Sequence, residues 1–155
     1  TLTFMYGILL LQGGNGMKEL KFRAKANINN EWIYARNIHK VISDDTNEEL
    51  WVMHPKDEKI EHLGDGYIKY RPLVVNEETI GQYTGLKDIN GVEIYEGDIL
   101  FHQLQGRRKV YYPYSETVAS YGLRDIDNGM GSTLQDSHAV WEVIGNIHEN
   151  GDLLK

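Results

Sequence analysis

Six histidines, at positions 39, 54, 62, 102, 138 and 148, are the most versatile groups in the 155-residue chain. An imidazole can ligate a metal or move a proton near neutral pH. None of the six lies in an H-x-x-x-H or H-E-x-x-H pattern, so only the fold could gather them, and scattered surface histidines are expected. The acids invite a second test. Asp88-x-Asn90-Gly91-x-Glu93 and Asp125-Ile126-Asp127-Asn128-Gly129 both suggest calcium loops. An EF-hand needs glycine at its sixth position and a bidentate acid at its twelfth. Glycine comes fourth in the first segment; in the second it comes fifth, with Asp136 twelfth, so both read as turns. Glu93, Glu96 and Asp98 crowd three carboxylates together, but Glu96-Gly97-Asp98 is turn chemistry and not an opposed acid–base pair. Ser115, Ser120, Ser132 and Ser137 lack a G-x-S-x-G context, no Gly-rich phosphate loop is present, and there are no cysteines. No catalytic residue, metal or cofactor is therefore expected.

One segment suggests binding. Arg107-Arg108-Lys109 precedes Tyr111, Tyr112 and Tyr114, and cations that hold phosphates beside rings that stack on bases are the pattern of single-strand binders. The alternating Lys21, Arg23 and Lys25 would extend such a surface. The competing reading is a strand whose charged end sits in water and whose tyrosines enter the core. A formal net charge of −7 opposes binding by bulk electrostatics.

The elements that must position these groups are strands. Hydrophobic content of 41% and charged content of 25% fit a globular chain, and ten tyrosines with three tryptophans suit pleated surfaces. Leu20, Phe22 and Ala24 alternate with Lys21, Arg23 and Lys25, which predicts a half-buried strand with a wet, basic face. It is joined through Asn27–Asn30 to a second strand at 31–35 that continues over 38–42. Further strands are predicted at 50–53, 67–75, 92–95, 99–101, 107–112, 117–123 and 140–148. Asn90-Gly91 is the strongest hairpin signal, since it tolerates the positive φ of a tight turn. The 125–136 stretch, with Gly129 and Gly131, reads as a mobile or irregular loop, and Gly145 as a bulge or close-approach point. Short helices are expected near 76–80 or 57–63, and no window yields a long amphipathic helix or a repeat.

Residues 1–16 stand apart. The apolar run from Phe4 to Leu11 lacks a basic flank and a cleavage site and is too short to cross a bilayer. Gln12-Gly13-Gly14 can be encoded by codons containing a bacterial ribosome-binding sequence, with Asn15-Gly16 as spacer before Met17. Residues 1–16 are accordingly expected to be a translated leader or tag, with Met17 the native start. The missing export signal leads to the expectation of a cytoplasmic protein without membrane attachment.

KFRA at 21–24, GQYTGLKDINGVEIYEGDIL at 81–100 and WEVIGNIHEN at 141–150 together resemble the YopX family of phage and prophage proteins, over roughly residues 17–155. Lys25 departs from the resemblance, because the family usually shows an aromatic residue after Phe-Arg-Ala. The resemblance implies a small, mainly β protein without known catalytic residues. Tyr83, Gly85, Asp88, Asn90, Gly91, Glu93, Tyr95, Gly97, Asp98, Gly145 and Asn146 then mark the fold. The fold expected is mainly β, or α+β with one or two short helices. An N-terminal β lobe (17–80) packs on a C-terminal SH3-like barrel (81–155), and the two make one compact unit. The function expected is protein interaction, as a homo-oligomer or with a phage or host protein in the bacterial cytoplasm. The alternative is nucleic-acid binding through Arg107, Arg108, Lys109, Tyr111 and Tyr112.

Overall fold

The structure, a computed structural model, describes residues 19–55, 61–63, 67–69, 72–134 and 138–155. The strands among them are β1 (Phe22–Lys25), β2 (Trp32–Ile42), β3 (Glu49–Pro55), β4 (Glu61–Leu63), β5 (Tyr67–Lys69), β6 (Leu73–Val74), β7 (Gly81–Lys87), β8 (Glu93–Tyr95), β9 (Asp98–His102), β10 (Gly106–Tyr111), β11 (Gly122–Asp125), β12 (Gly131–Thr133) and β13 (Glu142–Asn146). Single 3-10 turns lie at Glu77–Thr79, His138–Val140 and Gly151–Leu154. The chain is mainly β, as its alternation predicts.

Six strands form one sheet in the order β6-β3-β2-β1-β7-β8, and five form a second in the order β12-β11-β10-β9-β13; β4 pairs with β5. The expected hairpin around Asn27–Asn30 is present, with Phe22 opposite Ala35 and Lys25 opposite Trp32. Phe22, Ala24 and Ala26 pack with Ile33, Ala35, Met53 and Val75 into one core. A second core joins Ile94 of β8 to Leu100, Val110, Leu123, Leu134 and Trp141, so the end of the first sheet and the inner face of the second enclose it. The chain passes between sheets at Glu96-Gly97. There the Gly97 N–H donates to Val110 O, and Gly97 O accepts from Ile147 N. Gly97 has a φ of +83°, a conformation that favours glycine.

Several expectations need correction. Residues 61–63, inside the helix expected near 57–63, form β4, whereas the other short helix is present as the Glu77–Thr79 turn. The run predicted at 117–123 is a strand only from Gly122, because Ser115 and Val118 pair with each other in a tight turn. The predicted strand at 140–148 shortens to β13, since the chain turns at His138–Val140 and again after Asn146. Asp125 to Gly131 is a hydrogen-bonded hairpin turn between β11 and β12 and not an irregular loop. The Asp125 carboxylate accepts from the Asp127 and Asn128 amides, and Gly129 supplies the positive φ. Gly145 meets both of its expectations: the β13–β9 register shifts beside it, and a Cβ there would lie 2.4 Å from Asn150 Oδ1. The leader reading concerns residues outside those described.

Candidate functional site

The basic side of β1 is buried and not wet. Arg23 is 7% and Lys25 8% exposed, because that side of the first sheet meets the turn into β9 and the end of β13. Each cation finds an acid from the later half of the chain. Lys21 Nζ contacts Glu93 at 2.5 Å, Arg23 Nη2 contacts Asp98 at 2.5 Å, and Lys25 Nζ contacts Glu149 at 2.9 Å. Aromatic rings fill the spaces between them. The Arg23 guanidinium lies 4.8 Å from the Trp32 centroid and 4.9 Å from that of Tyr95, and Lys25 lies 5.5 Å from Trp32. Stripping water from such groups requires this degree of pairing, because an isolated buried charge is costly. Lys25 is thus accommodated by an acid and a ring.

The seam shifts the proton equilibria of its members. Hydrogen bonds from Lys25, Trp32 and Asn146 hold the Glu149 carboxyl at about 2. Burial, helped by the neighbouring Arg23 and Lys25 charges, pushes the His148 imidazole below its ordinary value, so its neutral form is favoured. Burial pushes the Asp98 carboxyl upward, and Arg23 and the Tyr95 N–H oppose it.

The expected family markers each have a place in this framework. Thr84 donates to Ile94 O and accepts from the Leu86 amide around Gly85, whose φ is +85°, producing the irregular register between Tyr83 and Lys87. Asp88 Oδ1 accepts from the Asn90 and Val92 amides, and its Oδ2 accepts from Val143 N at 2.9 Å, tying the hairpin to β13. Gly91 supplies the positive φ of the tip. Glu93 accepts from the Tyr95 hydroxyl, and Asp98 accepts from the Tyr95 amide. Asn146 Oδ1 caps the His148 and Glu149 amides beside Gly145. The acids are turn and strand ligands, and the carboxylates are occupied by protein donors. Among the described residues no three His, Asp or Glu side chains gather as metal ligands. His39 and His54 do come together, stacked 5.4 Å apart on β2 and β3.

The Arg107–Tyr114 segment divides between two faces of the second sheet. Arg108 shares the inner face with Val110; it donates to Ser132, lies 3.8 Å from Asp125 and sits over Trp141. Arg107, Lys109 and Tyr111 share the outer face. Arg107 donates to Leu153 O and Lys155 O, fastening the last turn of the chain. Tyr112 turns away to meet Tyr121, and both line a cleft of about 380 Å³ with Gln82, Thr84 and Leu86. The structure does not bring Lys21, Arg23 and Lys25 to this surface. It brings Arg124 instead, directly opposite Lys109 on β11. Sequence reasoning missed Arg124 because only strand register makes it a neighbour.

A family model described as "YopX protein" matches residues 21–155. The crystal structure of protein EF1440 from Enterococcus faecalis is similar, with 27% identity and a TM-score of 0.53, covering 88% of this chain and 98% of that one. No curated protein matches. Among the described residues no helix is long and apolar enough to cross a membrane.

Proposed function

The chain belongs to the YopX protein family, and we propose that it is a non-enzymatic accessory protein of phages and prophages, acting by protein–protein contact as a homo-oligomer in the host cytoplasm. The observation that carries this reading is an apolar group at the β7–β8 tip. Ile89 is 62% exposed and Val92 48%; Val140 is 48% exposed on the adjoining turn, which the bond from Ile89 N to Trp141 O holds in place. Single exposed apolar residues are ordinary, but a gathered set favours a contact surface. Lys87 and Glu142, of opposite charge and both exposed, border it. A two-fold axis would set each against its opposite in a second copy, as an isologous contact requires. The engagement of the signature acids within the fold supports the non-enzymatic part.

Size-exclusion chromatography with light scattering tests the proposal. A dimer or larger species is expected, converted to monomer by Ile89→Asp with Val140→Asp while circular dichroism stays unchanged. A wild-type chain that is monomeric at its highest soluble concentration would overturn it.

A further inference from the structure

The outer face of the second sheet carries a layered arrangement, anchored where the Tyr111 hydroxyl donates to Tyr114 O at 3.3 Å. Tyr111 lies across β11 towards β12, over glycines on both. A Cβ at Gly122 would come within 2.7 Å of the Tyr111 ring, and one at Gly131 within 3.0 Å of its hydroxyl. The ring therefore rests on bare backbone. Above it sits the Arg124 guanidinium, 4.6 Å from the ring centroid. Arg124 is exposed, so the other side of its plane faces solvent.

Beside this stack is an electrostatic anomaly. Lys109 and Arg124 are direct cross-strand partners, and like charges so placed destabilise a sheet. Among the described residues neither makes an ion pair, although acids outnumber Lys and Arg by 23 to 16 over the whole chain. Phe101, opposite Arg107 on β9 and 40% exposed, adds a ring to the same face.

We propose that this face binds single-stranded nucleic acid, with one base stacked on the Arg124–Tyr111 platform and adjacent phosphates held by Lys109 and Arg124. Unpaired bases stack on aromatic rings and on guanidinium planes, whereas free phosphate or a lipid headgroup has no use for a flat ring stack. An acidic partner protein would match the cations but not the platform. Arg107 and Arg108 stand outside the site, since the first holds the C-terminal turn and the second faces the core. The proposal does not require self-association through the hairpin tip, although Glu142 beside that tip is the cross-strand partner of Phe101.

Fluorescence anisotropy of a labelled 20-mer oligo-dT tests it, with inorganic polyphosphate and phosphatidylserine vesicles as the other arms. For two phosphate contacts on a single strand the slope of log K against log salt should be about −1.4, so affinity falls about sevenfold between 50 and 200 mM salt. Lys109→Gln should reduce the slope by about 0.7. Arg124→Lys should leave the slope intact and weaken binding, because it keeps the charge and removes the plane. The melting temperature of Lys109→Gln should equal or exceed that of the wild type, which separates lost binding from lost folding. The proposal is overturned by an absence of binding at 50 mM salt. Equal binding of polyphosphate or of vesicles, or an unchanged affinity in the Lys109→Gln, Arg124→Gln double variant, overturns it too.

Discussion

Arg23 and Asp98 show what a single pair of side chains does here. Asp98 is 1% exposed and has two tasks, accepting from the Tyr95 amide and neutralising Arg23. Removing one member of a buried pair leaves the other charged and unpaired, which typically costs about 3–5 kcal/mol. Asp98→Ala should therefore lower stability by about that amount in denaturant melts. Asp98→Asn keeps an acceptor for the Tyr95 amide and should still be destabilised, because Arg23 loses its counter-charge. Replacing the pair together, as Arg23→Met with Asp98→Leu, should cost much less than the two single changes added. Additive losses would show that the two residues act separately. The alternation of residues 20–25 placed Lys21, Arg23 and Lys25 on one face correctly, but it could not tell that the face is dry. Apart from Glu19 beside Lys21, their partners lie more than seventy positions away, at Glu93, Asp98 and Glu149, and local periodicity carries no information about what a face meets.

Among the elements, those governed by local chemistry were legible. Asn90-Gly91 announced the β7–β8 hairpin because positive φ at a tip is a property of the residue itself. The 117–123 segment misled because β propensity describes fit to a pleated surface and not an intrinsic preference. Here the chain instead closes the turn Ser115–Val118 and gives its Ser120 carbonyl to the Tyr114 amide. The two kinds of glycine constraint can be separated by experiment. Gly91 has a φ of +81°, and a Cβ added there would meet nothing within 4 Å, so Gly91→Ala brings only backbone strain and should cost about 1 kcal/mol. Gly122 has no such φ, but a Cβ there would strike the Tyr111 ring at 2.7 Å. Gly122→Ala should cost about 1–3 kcal/mol as overpacking, and Tyr111→Ala in the same chain should recover part of it. A full, unrecovered loss in the double variant would mean that the ring does not lie on that glycine.

At the scale of the molecule, the chain order and the sheet order disagree, and that disagreement has energetic consequences. β7 and β8 follow β6 in sequence, yet they complete the first sheet on the far side of β1, with Phe22 opposite Gln82 and Arg23 opposite Gly81. From β8 the chain turns through Gly97 directly into β9, an interior strand of the second sheet, and the seam of Lys21, Arg23 and Lys25 reaches across to both sheets. Neither core can then open without uncovering charges that the other half neutralises, so the two should unfold as one cooperative unit. Native-state hydrogen exchange reads this directly. The amides of Ala24 and Ile33 in one core and of Leu100 and Leu123 in the other should converge on a single opening free energy at low denaturant. Removing the Lys25 contact with Glu149→Gln should lower both sets equally. Protection that persists around Leu100 and Leu123 after exchange is complete at Ala24 and Ile33 would mean that the second sheet stands without the first, and that the charged seam joins two units instead of making them one.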